Sequence, residues 1–362
     1  MEVGIIGLPG SGKSTLFTTL TGQDTAAMPS GGKITVHRGI VKVPDERLDI
    51  LTDIFKPQKK VNATIEYIEA GGPEQESGPA KGLAPQLIQH LKNTDALCLM
   101  VRAFENEYYP HPAGSIDPVR DFNTSETEFI LTDLGIIENR INRIKKQVMS
   151  TKDEAGMREL SLLERCREAL ESEKPLRELS FDAHEDLLLR GFQFLTRKPL
   201  IIVLNINEQD LPRREELLES FRAATGGKNV TAIALSAKIE QEIAQLEADD
   251  AALFLEELNI SEPALPMLIR ACYELLGLIS FFTVGEDECR SWTIRRNTPA
   301  QKAAGAIHTD LERGFIRAEV IHYEDFMSCK SIAKCRDKGL LRLEGKEYIV
   351  QDGDILNIRF NV

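Results

Sequence analysis

The feature that most constrains this chain is the segment 7–14, which reads Gly-Leu-Pro-Gly-Ser-Gly-Lys-Ser between an apolar run at 3–6 and a helix-forming stretch at 15–20. In the order strand, glycine-rich turn and helix, backbone N–H groups and the positive helix end converge on an anion. In such a loop Lys13 reaches the terminal phosphates, and Ser14 offers its hydroxyl to Mg²⁺. A ligand-free turn is the minor alternative. The motif therefore predicts nucleoside triphosphate binding by Gly7, Leu8, Pro9, Gly10, Ser11, Gly12, Lys13, Ser14 and Thr15.

Apolar, β-rich runs alternate with helical patterns along much of the chain. These runs fall at 3–6, 39–43, 63–68, 96–101, 200–204 and 231–235. Such alternation predicts βαβ units and a mostly parallel sheet covered on both faces, which is the α/β class. The runs at 96–101 and 200–204 are almost continuously hydrophobic, as expected of central strands. The predicted fold is therefore an α/β P-loop domain.

A helical insertion is predicted between those two central strands. Apolar residues recur at spacings of four and three, the pattern of a coiled-coil seam, at Ile130, Leu134, Ile137, Ile141, Ile144 and Val148. A second helical stretch, about 154–172, carries Met157, Leu160, Leu163 and Leu170, and 150–153 can turn the chain back. We expect an antiparallel helical hairpin over 124–195. Periodicity leaves open whether the hairpin is an arm that docks a partner or a structural spur.

Composition and charge limit the possible partners. The chain has 362 residues, enough for two or three domains, and a net charge of −13. An RNA partner would need a local basic patch at this charge, and no DNA partner is expected. No run approaches the roughly 18–20 apolar residues of a membrane helix, so we expect a cytoplasmic protein without a membrane partner. The six cysteines form no Cys-x-x-Cys pair, which favours free thiols.

Two further segments match the positions that bind the base in P-loop GTPases. Asn205 and Glu208 follow the apolar strand at 200–204, at the sheet edge where ligands bind. Ras-like GTPases have Asn-Lys-x-Asp there, whereas this chain has Asn-x-x-Glu. The later residues Ser236, Ala237 and Lys238 resemble the Ser-Ala-Lys base loop. Together these variants resemble the YchF family of Obg-like P-loop NTPases, although a mere capping role for Asn205 and Glu208 is the minor alternative.

The resemblance covers nearly the whole chain and is densest toward the C-terminus. It extends over 271–279, 292–296, 303–310, 313–320 and 351–360. Short strands are predicted at 281–284, 291–295, 317–321 and 355–360 around one helix near 300–308, which is compatible with a small β-grasp. The resemblance implies a TGS-type domain at 278–362, and it leaves 1–123 and 196–277 to the NTPase domain.

Four arginines of this C-terminal region are candidates for a basic patch that meets phosphates. They are Arg295, Arg296, Arg313 and Arg317. The alternative, which we favour, is that such arginines are solvated or paired with acids such as Asp310 and Glu312.

The chain departs from the family pattern around the phosphates. The family usually has Asn-Val where this chain has Gly10 and Ser11. Because that Asn is associated with assistance by a monovalent cation, the resemblance does not imply such assistance for this loop. The nearest match to the switch II motif is 69–73, where Glu69 is the candidate strand-end acid that holds Mg²⁺ through a water. Thr35 is the candidate Mg²⁺-binding threonine of switch I. The segments that hydrolysis would toggle are expected near 24–33 and 72–82.

Catalysis needs a group that orients the attacking water. The resemblance implies a histidine in the loop after the strand at 96–101, and His111 aligns with it. An imidazole that titrates near neutrality can position water or move a proton. The alternative is a surface histidine without a role between Pro110 and Pro112. With no glutamine or arginine supplied, slow turnover is expected.

Two functions remain open at this stage. One is a regulatory NTPase that hydrolyses ATP and/or GTP slowly and acts with ribosomes or RNA. The other is a nucleotide-gated binding module with little or no hydrolysis. A small-molecule kinase is disfavoured, because no arginine-rich lid is evident. We expect ATP to be preferred over GTP, because Glu208 is one methylene longer than the usual Asp and the neighbouring lysine is missing.

Overall fold

A computed structural model describes residues 1–23, 35–71, 85–151, 153–225, 230–258, 260 and 262–361. It divides into two compact units, one formed by Met1–Gly39 and Glu66–Leu265, the other by Ile40–Ile65 and Pro266–Val362. The predicted switch segments near 24–33 and 72–82 lie outside the described residues. Of Thr35, the switch I candidate, the backbone is described, at the start of a strand. In the part of the chain that is described, no helix has both the length and the apolar character to cross a membrane.

Strands and helices alternate along most of the chain. The strands are β1 Glu2–Gly7, β2 Thr35–Lys42, β3 Lys59–Val61, β4 Thr64–Gly71, β5 Ala96–Ala103, β6 Leu200–Ile206, β7 Thr231–Leu235, β8 Leu278–Thr283, β9 Glu288–Arg295, β10 Phe315–Ile321, β11 Arg342–Glu344 and β12 Ile355–Phe360. The helices are α1 Lys13–Thr21, α2 Glu46–Phe55, α3 Pro85–Asn93, α4 Pro118–Thr151, α5 Glu154–Glu171, α6 Ala183–Arg190, α7 Arg214–Ala224, α8 Ala237–Ile243, α9 Ala248–Glu257, α10 Ala264–Leu275, α11 Ala300–Ile307, α12 Thr309–Arg313, α13 Tyr323–Cys329 and α14 Ile332–Asp337.

The first sheet has six strands in the order β2-β4-β1-β5-β6-β7. Neighbours from β4 to β7 run parallel, and β6 is buried throughout its length. Parallel strands require crossovers, and helices on both faces supply the apolar cover that such strands need. All six strands coincide with runs read from the sequence, so the α/β prediction is confirmed.

The helical insertion between β5 and β6 is also confirmed. Helix α4 has 34 residues and α5 has 18. Their shared core contains Ile137, Ile141 and Ile144 of α4 against Leu163 and Cys166 of α5. Met157, expected in the seam, is instead 51% exposed. The apolar contacts of α5 therefore begin one turn later than the pattern predicted, at Leu160 and Leu162.

The second unit contains a six-stranded sheet in the order β11-β10-β12-β8-β9-β3. The predicted β-grasp is matched by helix α11 and by four strands of this sheet, β8, β9, β10 and β12. The prediction of a single helix was wrong, since the described residues also form the short helices α12, α13 and α14. Strand β3 pairs with β9 in parallel, and Leu48 and Leu51 of α2 share a core with Phe282 and Phe326. Residues 40–65 therefore group with the C-terminal segment, although we had placed them in the NTPase domain.

The acids proposed to pair with the C-terminal arginines have other partners. Glu312 binds Lys302 at 2.6 Å, and Asp310 lies 3.3 Å from His308. Both contacts are local, between neighbouring turns of α11 and α12. The six cysteines are free thiols and all are buried.

Candidate functional site

The segment 7–14 forms the turn between β1 and α1 at the carboxyl edge of the parallel sheet. Its glycines adopt positive φ angles, with Gly12 at 99°, a conformation that side chains with a Cβ rarely accept. A Cβ at Gly12 would also collide with the side chain of Asn205, and one at Gly7 would collide with the Met100 carbonyl. Close packing against β5 and β6 therefore requires glycine at these positions and leaves the loop backbone open toward a ligand.

Lys13 and Ser14 begin α1 with their polar groups on the loop. The Lys13 Nζ donates to the carbonyl of Leu8 at 2.9 Å, so the ammonium lies across the turn that the phosphates would occupy. The Ser14 hydroxyl donates to Glu69 Oε1 at 2.5 Å. Glu69 lies two residues before the end of β4 and is only 2% exposed. The structure thus brings together two of the three predicted Mg²⁺ residues, whereas the side chain of the third, Thr35, lies outside the described part.

Asn205 joins the phosphate loop to the segment at 236–238. Its Nδ2 donates to the Ser11 carbonyl at 2.9 Å, and its Oδ1 accepts from the Ala237 N–H at 3.0 Å. The side chain is 4% exposed. We had expected Asn205 to face the base edge. The observed contacts instead assign its amide to holding the two loops in register, so pairing with a base stays a prediction.

The other predicted base residues differ in exposure. Ser236 is buried at the start of α8, whereas Glu208 and Lys238 are exposed. The Lys238 Nζ lies 3.9 Å from Glu208 Oε2, a long pair between solvated groups that restrains neither side chain strongly. Glu208 therefore retains the freedom to turn toward a bound base.

We expect Asn205→Ala to weaken ATP binding about tenfold and to lower the free energy of unfolding by about 2 kcal/mol, because it leaves a buried carbonyl and a buried N–H unpaired. Nucleotide titration and urea unfolding measure the two effects. Asn207→Ala is the matched control, since Asn207 is exposed and its side chain makes no capping bond. Equal ATP affinities for the two variants would contradict the bracing role.

His111 lies in a buried niche, not on the surface as one of the two sequence interpretations assumed. The Ala113 N–H donates to Nδ1 at 3.1 Å, so Nε2 carries the proton that bonds Asp121 Oδ2 at 2.8 Å. Asp121 also accepts from Arg120. With both ring nitrogens engaged, His111 orients no water in this conformation, and its catalytic role stays a prediction that requires the contact with Asp121 to open.

Sequence reasoning missed one charged residue at this edge of the sheet. Arg102 stands opposite Asn205 in the pairing of β5 with β6 and is 2% exposed. The available signal was a single arginine that closes an otherwise apolar, buried strand.

A parallel α/β sheet, a glycine-rich loop at its carboxyl edge, and the lysine and serine that follow define the class of P-loop NTPases. The comparisons with known proteins narrow this class. Residues 2–130 match a family model described as a 50S ribosome-binding GTPase, and residues 278–361 match the model YchF-GTPase_C, described as a protein of unknown function.

Relatives of known name extend over the full chain. The "Ribosome-binding ATPase YchF" of Bacillus subtilis (strain 168) is 41% identical, with 100% of each chain covered. The protein of the same name from Pasteurella multocida (strain Pm70) is 40% identical, over 100% of this chain and 99% of the relative. The solved Schizosaccharomyces pombe YchF GTPase is 29% identical with a TM-score of 0.86, covering 99% of this chain and 97% of that one. The chain belongs to the YchF family.

Proposed function

We propose that this protein binds Mg²⁺-ATP at residues 7–14, hydrolyses it slowly, and uses the nucleotide state to control its association with ribosomes. The observation that carries the proposal is the assembled loop, with Lys13 across the turn, Ser14 against Glu69 and Asn205 bracing Ser11. Full-length relatives named ribosome-binding ATPases support the same function. A ribosomal partner implies action in the cytoplasm.

The residues at the loop fit Mg²⁺. A hydroxyl and a carboxylate face each other at Ser14 and Glu69, and hard oxygen donors are what this ion prefers. The described residues contain no cluster of three or more His, Cys, Asp or Glu side chains suited to a metal. Mg²⁺ in such sites needs only one or two protein oxygens, because phosphates and water complete its shell. Ser14 and Glu69, with Thr35 as a third candidate, would hold the ion, which neutralises phosphate charge when bound.

Adenine is the base we favour. Guanine selectivity requires an acid held in the plane of the base, and Glu208 is longer and only loosely restrained by Lys238. Ile206 stands where the GTPase motif has a lysine. These two differences remove the rigid acceptor and the packing partner that guanine recognition uses.

His111 defines the choice between a hydrolytic switch and a gated binding module. If the contact with Asp121 opens when nucleotide or a partner binds, the released imidazole is free to orient water, and turnover stays slow until then. If the contact persists, the protein binds nucleotide with little hydrolysis. Because both ring nitrogens of His111 are hydrogen-bonded in the structure, we retain the gated binding module as a second candidate function.

Ribosome association needs a local basic surface, because the whole chain carries a net charge of −13. Arg317 of β10 lies directly opposite Arg359 of β12. Like charges in a cross-strand pair are unfavourable unless an anion or a carboxylate compensates them. Glu319 binds Arg359, which leaves the exposed Arg317 as the candidate phosphate contact of the TGS-like region, 278–362.

Co-sedimentation with ribosomes tests this function. We expect the protein to pellet with ribosomes in a manner that depends on ATP or ADP and on salt, and Arg317→Glu to reduce pelleting several-fold. Lys59→Glu is the matched control, because it makes the same charge change on β3, at the opposite edge of the same sheet. Phosphate release with and without ribosomes separates the switch from the gated module. Absence of pelleting in every nucleotide state would contradict the ribosomal function.

A further inference from the structure

Arg102 is a buried, charged residue that has no role in the nucleotide site as described so far. It is the one charged residue of β5 and is 2% exposed. Its place opposite Asn205 puts it at the carboxyl edge of the sheet, beside the loop. Burying a guanidinium is strongly unfavourable unless it is paired and hydrogen-bonded. A partner for this charge is therefore expected.

The contacts of Arg102 satisfy only part of the guanidinium. Its Nε donates to the Phe104 carbonyl at 3.0 Å, and its Cζ lies 4.6 Å from the centroid of the Phe104 ring. Within the described residues, the buried Nη1 has no hydrogen-bond partner. Burial lowers the pKa of Arg102, and the negative charge of Asp121 opposes that shift. The guanidinium is thus held in place by Phe104, and its Nη1 is left without a hydrogen bond.

The unpartnered nitrogen points to the phosphate loop. Nη1 lies 3.2 Å from the position that a Cβ on Gly10 would take. Gly10 has a φ of 71° and no side chain, so at this point no side chain of the loop stands between its backbone and the guanidinium nitrogen. A planar, always charged donor beside a phosphate-binding turn matches the geometry that phosphate oxygens require.

We propose that Arg102 is a further nucleotide-binding residue, whose Nη1 donates to a phosphate oxygen of the bound nucleoside triphosphate. The inference rests on the proposed binding of nucleotide by residues 7–14. It assigns the loop a second cation in addition to Lys13, supplied from β5 and already in position before the ligand arrives. The buried charge is tolerated because the ligand compensates it.

The test compares Arg102→Met with the unmodified protein for ATP, ADP and adenosine in the presence of Mg²⁺. Methionine retains much of the apolar volume and removes the charge. We expect affinity for ATP and ADP to fall about tenfold or more, as for loss of a charge-assisted hydrogen bond, with no change for adenosine. The melting temperature without nucleotide should stay the same or rise, because an uncompensated buried charge is removed.

Two further variants make the result specific. Arg222→Met is the matched control, because Arg222 bonds the Ala232 carbonyl in the same unit, and it should leave ATP affinity unchanged. Arg102→Lys keeps the charge but loses the planar fork, so we expect an intermediate ATP affinity. If Arg102→Met does not fold, the affinities for ATP and adenosine are compared in Arg102→Lys instead.

Three outcomes would overturn the proposal. Equal losses of affinity for ATP and adenosine would show that Arg102 does not act through the phosphates. If Arg102→Met has unchanged ATP affinity but a lower melting temperature, Arg102 serves to stabilise the fold and not to bind the nucleotide. If Arg102→Met keeps its ATP affinity while Lys13→Ala abolishes binding, only the role of Arg102 is contradicted. If both variants bind ATP normally, the proposed nucleotide site at residues 7–14 is contradicted as well.

Discussion

Lys13→Ala should lower ATP affinity about a hundredfold or more and leave the melting temperature without nucleotide within about 2 °C. The Lys13 ammonium bonds the Leu8 carbonyl across the loop and belongs to none of the buried apolar clusters, so its main loss is the contact with the phosphates. Titration with a fluorescent ATP analogue and a thermal scan of the free protein measure the two quantities.

The control for this substitution is Lys174→Ala, which removes an exposed lysine of the same unit. It should bind ATP as the unmodified protein does. ATP affinity that is unchanged in Lys13→Ala would mean that residues 7–14 do not form the nucleotide site.

Glu69→Ala should lower the rate of phosphate release about 10- to 100-fold at limiting Mg²⁺ and raise the Mg²⁺ concentration needed for half-maximal rate, as loss of an outer-shell ligand does. The buried Glu69 carboxylate is held against the Ser14 hydroxyl, where it can orient a metal-bound water. The measurement is phosphate release across a Mg²⁺ series at saturating ATP.

Glu66→Ala is the matched control, because Glu66 lies on the same strand and pairs with Arg38 at the surface. It should leave the Mg²⁺ dependence unchanged. An identical Mg²⁺ dependence for Glu69→Ala and the unmodified protein would exclude Glu69 from the metal site.

Sequence alone was sufficient for the elements whose signal is local. The loop at 7–14 has a fixed residue pattern, β6 is a continuous apolar run, and the seam of α4 repeats over several turns, so each is specified by neighbours in the chain. The same holds for the position of Asn205 at a strand end, which the sequence placed at the ligand edge.

The features that could not be predicted depend on contacts between distant residues. Strand β3 is three residues long, reads Lys-Lys-Val, and gains its place only by pairing with β9. The bond from Asn205 to Ser11 and the niche of His111 likewise follow from packing and not from periodicity. Arg102 was overlooked because one arginine beside an apolar run looks like the exposed end of a strand.

The grouping of residues 40–65 with the C-terminal segment changes how partner binding should be tested. Deletion of residues 278–362 is the simplest way to remove the TGS-like region. That deletion would remove Phe282 and Phe326 and expose Leu48 and Leu51 of α2, which pack against them. Exposed apolar surface promotes aggregation, so single substitutions such as Arg317→Glu are the better test of ribosome association.

Competition between ATP and GTP for the Mg²⁺-dependent site is the most direct test of the central claim, that residues 7–14 and the Asn205–Ala237 bridge form an adenine nucleotide site. The measurement is displacement of a fluorescent ATP analogue by each nucleotide at equal Mg²⁺. We expect ATP to displace the analogue at about one-tenth of the GTP concentration, a difference of about 1.4 kcal/mol. Failure of both nucleotides to displace it, or a tenfold preference for GTP, would contradict the account.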